Sequence, residues 1–226
     1  MRDPWQAQTN LQEDERHRMK IGIIGAGNMG SAFAKRLAAA GHEISITAQD
    51  PSHAEQAASA AGGNVRAVAH GQIAAGAELL IVATPYAAAA EALGAAGDVS
   101  GKTVIDISNP LSADFSGLTV GFTSSAAEEI QKAVPGARIV KAFNTVFAPV
   151  LASGPGATRV QVLFAGDDAA AKEAVRGVIE SAGFEPVDAG PLSNARYLEP
   201  LGMLNIYLGF MAGRGTGIAP GWQSVG

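Results

Sequence analysis

The chain contains no cysteine, which excludes disulfides, thiolate nucleophiles and cysteine-ligated metals together. Its four histidines, His17, His42, His53 and His70, are scattered, and they leave little for a zinc site. Charge is scarce as well: 16% of residues are Asp, Glu, Lys or Arg, and the net charge is −5. Without a basic field there is nothing to hold a polyphosphate backbone, so no nucleic-acid partner is expected. Long apolar runs are also missing. Mean hydropathy is only +0.15. Gly, Pro, Asp or Asn interrupts each apolar stretch before the roughly 18 residues that a spanning helix needs, so no membrane partner is expected. A length of 226 residues suits one sizeable core and is too short for two full domains.

What the chain has in excess is glycine, 28 of 226 residues, against roughly 7% in an average protein. Residues 1–18, MRDPWQAQTNLQEDERHR, are polar and aperiodic and read as a disordered extension outside the fold. They lack the apolar stretch of a secretory signal, and the expected compartment is the cytoplasm. Residues 19–226 read as one domain. Short apolar runs alternate there with Ala-rich helical stretches, the pattern of βαβ units around a parallel sheet. Strands are expected near 20–25, 43–48, 65–68, 78–83, 103–107, 138–142, 159–165 and 184–188. Helices are expected near 28–40, 52–61, 86–96, 124–133, 167–182 and 193–211. Gly41 and Gly183 follow two of these helices as C-terminal stops, and Ser193 is placed to cap the last. The fold class is therefore α/β: a Rossmann-type doubly wound, mostly parallel sheet of about eight strands, with helices on both faces and a C-terminal helix.

The chemistry-bearing motif is Gly25-Ala26-Gly27-Asn28-Met29-Gly30, a GxGxxG directly between an apolar strand and an Ala-rich helix. Gly25 permits the tight turn, Gly27 lets backbone N–H groups approach a pyrophosphate, and Gly30 lets helix and strand pack closely. The helix N-terminus offers unpaired donors and partial positive charge. At the end of the second strand an acid would bond a ribose 2′-hydroxyl and an arginine would accept a 2′-phosphate. The chain has Thr47-Ala48-Gln49-Asp50-Pro51-Ser52-His53 there. Two arrangements stay open: Asp50 reaching back to favour NAD, or Thr47, Gln49, Ser52 and His53 forming a neutral pocket for a 2′-phosphate.

Three further strand ends lie where doubly wound folds bind ligands. They carry Ala83-Thr84-Pro85-Tyr86, Ser108-Asn109-Pro110 and Lys141-Ala142-Phe143-Asn144. Pro85 and Pro110 fix the backbone where a nicotinamide would lie flat, and Asn144 can hydrogen-bond a carboxamide or an acceptor ring. Lys141 reads as solvated, as paired with an acid, or as a catalytic acid. His53 and His70 read as solvated surface side chains. In the last helix Tyr197, Leu201, Leu204, Leu208 and Met211 recur at helical spacing and are expected to pack on the sheet. The alternative is that Leu201, Met203, Tyr207 and Phe210 cover the acceptor ring or a second copy in a homodimer. Pro200 and Gly202 are expected to interrupt the helix.

These residues resemble the coenzyme F420-dependent NADP oxidoreductase family, which is similar in its nucleotide-binding fold to the oxidoreductase domain of the STEAP metalloreductases. The segments that carry the resemblance are MKIGIIGAGNMGSAFAKRLAAAGHEI, VATPY, VIDISNPL, VKAFNT, FAGDDAAAKEAV and SAGFEPVDAGPLSNARYLEPLGMLNI. What it implies is hydride transfer between NADPH, or NADH, and a flat ring acceptor, the deazaflavin F420 or a flavin. It places Ala26, Gly27, Asn28 and Met29 at the phosphates, and Ala83, Thr84, Pro85, Ser108, Asn109, Ala142 and Asn144 near the nicotinamide and its ribose. Where family members that prefer NADP have a Ser-Arg pair, this chain has Ala48-Gln49.

Transfer of this kind needs two rings held face to face, and the cofactors carry the electronic work. No side-chain acid is then required; Asn144, Lys141 and Tyr86 are the candidates for a direct role. The alternatives are an imine or ketone reductase of the pyrroline-carboxylate reductase kind, which would need a proton donor, and a non-catalytic NAD(P)-sensing module.

Overall fold

A computed structural model describes residues 18–225; the extension expected over 1–18 falls outside these residues except for Arg18. The strands are β1 (Lys20–Ile24), β2 (Glu43–Thr47), β3 (Val65–Ala67), β4 (Leu79–Val82), β5 (Thr103–Asp106), β6 (Arg138–Ala142), β7 (Gln161–Gly166) and β8 (Glu185–Asp188). They form a single sheet in the order β3-β2-β1-β4-β5-β6-β7-β8. Every pairing is parallel except β6 with β7, where Lys141 faces Ala165. The sheet is covered on both faces, which is why β1 and β4 read as almost unbroken aliphatic runs (KIGII, LLIV).

Seven α-helices flank the sheet among the described residues: α1 (Asn28–Ala39), α2 (Pro51–Ala61), α3 (Tyr86–Gly94), α4 (Ala126–Ala133), α5 (Ala148–Ser153), α6 (Ala169–Ser181) and α7 (Ala195–Ile206). One core joins α1, α2, α5 and α6 through Phe33, Leu37, Ala54, Leu151, Val175 and Ile179 to the sheet face bearing Ile23, Ile46 and Phe164. The other joins α3, α4 and the start of α7 through Ala89, Leu93, Ile130 and Ala195 to Ile24, Val82 and Val104. The strands and six of the helices occupy the expected places. The short α5 was not expected.

Ser193 does not cap α7. It lies in a 3-10 turn, Leu192–Asn194, and α7 starts behind Asn194 with no side-chain cap. Neither Pro200 nor Gly202 interrupts α7; Pro200 is exposed and Gly202 buried within a continuous helix that ends in a wider π-turn, Tyr207–Met211.

The reversed β7 matters for the site. The chain leaves β6 at the carboxyl end of the sheet, descends through β7 and β8, and re-enters α7 from the far end. Helix α7 then climbs back towards the carboxyl ends of β5 and β6. Its inward residues are Leu198, Glu199, Gly202 and Asn205. Of the apolar series expected to pack inward, Tyr197, Leu204 and Met211 are exposed, while Leu201 and Leu208 are half-buried.

Candidate active site

The turn from β1 to α1 is built from backbone. Gly25 has φ +113°, and a Cβ there would meet the Ala83 carbonyl oxygen at 2.6 Å, so the turn is pressed against the end of β4. A Cβ on Gly30 would collide with the Gly25 carbonyl oxygen, while one on Gly27 would meet nothing within 4 Å. Two of the three glycines thus serve close packing, and the middle one faces open space where a phosphate can approach. No side chain caps α1, and no acid occupies its first turn. Its leading N–H groups and positive dipole end remain available to an anion.

At the end of β2, Thr47 is buried and Ala48 half-buried, whereas Gln49, Asp50, Ser52 and His53 are exposed. Asp50 is the N-cap of α2: its carboxylate accepts from the Ser52 N–H at 2.9 Å. Hydrogen bonds from Ser52 hold its pKa below the usual value, so the carboxylate is ionised at neutral pH.

At the carboxyl ends of β4, β5 and β6, three buried side-chain atoms have no hydrogen-bond partner: Thr84 Oγ1, Ser108 Oγ and Asn144 Oδ1. Leaving such atoms unpaired costs on the order of 1–3 kcal/mol each, and their gathering on three adjacent strands marks a place for a polar ligand. The orientation of Asn144 is set by its neighbours. Its Nδ2 donates to the Leu198 carbonyl at 2.8 Å and to Asn109 Oδ1 at 2.9 Å, and Asn109 Nδ2 donates to the Asn144 carbonyl at 2.9 Å. A carbonyl only accepts, so the amide nitrogen must face Leu198, which leaves Oδ1 as the open acceptor. Gly202 allows this pairing: a Cβ there would lie 2.5 Å from Asn109 Oδ1 and 2.9 Å from Asn144 Nδ2.

Phe143, between Ala142 and Asn144, takes φ +60°, a conformation uncommon for a bulky residue. Its ring packs edge-on against Phe33 at 5.0 Å and Phe184 at 6.1 Å. That packing holds the left-handed turn from which Asn144 reaches Asn109.

Beneath these tips lies a closed ionic cluster. Lys141 Nζ is 2.6 Å from Asp106 Oδ2 and 2.9 Å from Glu199 Oε1, and all three side chains are essentially inaccessible. Lys141 also donates to the Ser108 carbonyl at 2.6 Å. Asp106 Oδ1 accepts from the Ser108 N–H at 2.9 Å, and Glu199 accepts from Ala126 and Ala127 at the start of α4. Burial alone would push Lys141 down, but the two facing carboxylates more than offset it and hold it above its usual value. Burial also pushes Glu199 up, against the pull of Lys141. Of the three sequence readings of Lys141, the structure shows an ammonium paired with acids, each of its contacts directed into the protein. The cluster pins the Ser108 loop from both sides and ties α7 to it.

Tyr86 is half-buried at the start of α3, and burial raises its pKa, with Glu129, Glu199 and Asp106 adding to the effect. Pro85 is exposed ahead of it, whereas Pro110 and Ala142 are buried. His70 is not solvated as expected, since its Nε2 bonds the Ala92 carbonyl at 2.7 Å; His53 is exposed. Sequence reasoning gave no role to Asp106, Glu199 or Asn205, whose Nδ2 donates to the Thr145 carbonyl at 3.0 Å, and read Gly202 only as a break in the helix. An acid embedded in the apolar run TVIDI was the available signal, because such a charge needs a buried partner. Among the described residues no cluster could hold a metal, and no helix is long and apolar enough to cross a membrane.

Backbone donors at one end and unpartnered polar side chains at the other suit a ligand carrying a pyrophosphate and an amide-bearing ring. The class so defined is the NAD(P)H-dependent oxidoreductases. Residues 20–110 match the family described as NADP oxidoreductase, coenzyme F420-dependent. The F420-dependent NADP reductase of Methanothermobacter marburgensis is 31% identical over 209 residues, covering 84% of this chain and 92% of the relative. A crystal structure from Arthrobacter sp. FB24, provisionally named as an F420-dependent NADP-reductase, superposes with a TM-score of 0.79 at 34% identity, covering 88% of this chain and 96% of that one. Rat metalloreductase STEAP3 is 28% identical over 192 residues, 85% of this chain, but the chain spans only 38% of that protein's length. The chain belongs to the F420-dependent NADP reductase family.

Proposed function

We propose that this protein transfers a hydride between the nicotinamide of NAD(P)H and the deazaflavin ring of F420, in the cytoplasm. The observation that carries the proposal is the trio of unpartnered buried atoms, Thr84 Oγ1, Ser108 Oγ and Asn144 Oδ1, on adjacent strand tips. The two Methanothermobacter relatives, both F420-dependent NADP reductases, support the two co-substrates. When bound, the dinucleotide supplies the hydride and the deazaflavin the ring that accepts it.

The chain's own share is positioning. The Gly25–Gly30 turn and the N-terminus of α1 bind the pyrophosphate. Asn144 Oδ1 accepts an amide N–H from the carboxamide, while the Thr84 and Ser108 hydroxyls provide further donors or acceptors. The Asn109–Asn144 pair prevents the amide from turning over, and the Lys141 cluster keeps the Ser108 loop in place. Orientation of this kind lowers a barrier by several kcal/mol without a dedicated acid. Lys141 has its contacts with Asp106, Glu199 and Ser108, which leaves Tyr86 as the candidate proton donor near the strand tips. Burial raises the Tyr86 pKa and weakens it as an acid, which favours ring-to-ring hydride transfer, a step that needs no side-chain acid, over imine or ketone reduction. After β6 the chain continues with further strands and helices of the same sheet.

The test mixes the protein with NADH or NADPH and F420, FMN, FAD or a cyclic imine, and follows the nicotinamide absorbance. Oxidation with F420 is expected. Turnover confined to a flavin would replace the acceptor, and turnover confined to the imine would overturn the proposal.

A further inference from the structure

The ribose end of the site carries a more specific message. Between Arg36 and Arg66 the chain has no lysine or arginine, and that interval contains all of β2, the following turn and α2. Arg66 itself is committed elsewhere: its Nε donates to Ser45 Oγ at 3.1 Å in the middle of β2, and its guanidinium end lies beside Gly76, before β4 begins. Arg36 donates to the Ala182 carbonyl at 2.6 Å, and Lys35 lies two turns along α1 from the phosphate turn. Of the neutral pocket left open by the sequence, Thr47 is buried at 2% exposure and Ser52 gives its N–H to Asp50; Gln49 and the His53 imidazole stay exposed beside Asp50, and neither brings a guanidinium or an ammonium.

What stands at the tip of β2 is the Asp50 carboxylate, exposed and 20 positions beyond Gly30. Its cap bond uses Oδ1, and a carboxylate has about four acceptor sites, so capping α2 does not exhaust it. A ribose 2′-hydroxyl is a donor that such a group can accept. A 2′-phosphate at the same place would face a like charge, with no guanidinium or ammonium to neutralise it.

We infer that this site selects NADH over NADPH, with Asp50 accepting from the 2′-hydroxyl and repelling a 2′-phosphate. The inference rests on the dinucleotide reading above, and it departs from the cofactor named in the relatives. Asp50 is a specificity residue and takes no part in hydride transfer.

The test is equilibrium titration of the full chain with NADH and with NADPH, followed by nicotinamide fluorescence. The wild type is expected to bind NADH at least about tenfold more tightly. Asp50→Asn keeps a good N-cap acceptor and removes the charge; it should move the ratio towards NADPH by about tenfold. Gln49→Arg, at an exposed position, should raise NADPH affinity further by supplying the missing phosphate partner. Equal or tighter binding of NADPH by the wild type, or a ratio that Asp50→Asn leaves unmoved, overturns the inference. Binding of neither dinucleotide overturns both it and the reading of the site. Tight, selective NADH binding without F420 reduction sustains it and removes only the proposed acceptor.

Discussion

Between Ile24 and Gly30 the chain offers a ligand little but backbone N–H groups and open space, whereas between Asp106 and Glu199 it offers side chains held by a buried ammonium. The first region needs glycine, because its geometry is set by how closely β1, α1 and β4 approach. The second needs charge balance, because one lysine satisfies two carboxylates and a carbonyl at once. One end of the site is therefore sensitive to volume and the other to ionisation. A recurrent motif announces the first and nothing comparable announces the second.

Removing the buried ammonium should produce the largest break in that contrast. Lys141→Met leaves Asp106 and Glu199 facing each other without a counter-charge, and denaturant unfolding should show a loss of about 3–5 kcal/mol. A loss under ~1 kcal/mol would mean that the cluster is not the anchor described here. At the other end, Gly30→Ala places a methyl against the Gly25 carbonyl. Overpacking of this kind costs about 1–3 kcal/mol, and dinucleotide titration should show binding reduced far more than the stability loss explains.

Gly202→Ala sharpens the comparison from the side of α7. Its methyl displaces the Asn109 and Asn144 amides without touching the phosphate turn, so kcat should fall about tenfold with KM for the dinucleotide little changed in steady-state assays. The smallest effect concerns the pair that fastens α7 to α4. Arg196 Nε and Nη2 reach the two Glu128 oxygens at 2.8 and 2.6 Å, and the Arg196 hydrogen bond holds the Glu128 carboxyl below the usual carboxylate range. A depressed acid contributes stability that is present above its unfolded value and lost as pH falls through the folded one. Glu128→Gln should lower stability by about 0.5–1 kcal/mol at pH 7, and thermal melts should show that difference shrinking as the pH falls below the usual carboxylate range.

How much of this was legible in sequence follows the same division. The eight strands, the phosphate turn and the neighbouring Thr84, Ser108, Asn109 and Asn144 segments are written in local patterns, since apolar runs and turn residues report burial directly. Direction is not written locally: β7 has the same apolar character whether it runs parallel or antiparallel to β6. Helix α5, six residues opening as Ala148-Pro149, is too short to show a helical period. Tyr197, Leu204 and Met211 turn outward because the inward face of α7 carries, beside Ala195 and Leu198, the residues Glu199, Gly202 and Asn205. These meet Lys141, the Asn109–Asn144 pair and the Thr145 carbonyl, and apolar periodicity alone does not show those contacts.

The central claim, that the tips of β4, β5 and β6 present a nicotinamide to a deazaflavin, meets its most direct test in single-turnover mixing of the dinucleotide-loaded protein with F420, for wild type and Asn144→Ala. The account predicts fast loss of nicotinamide absorbance in the wild type, and in the variant a hydride-transfer rate at least about tenfold lower with the dinucleotide still bound. Equal rates in the two proteins, or no transfer in either while the dinucleotide is bound, would contradict it.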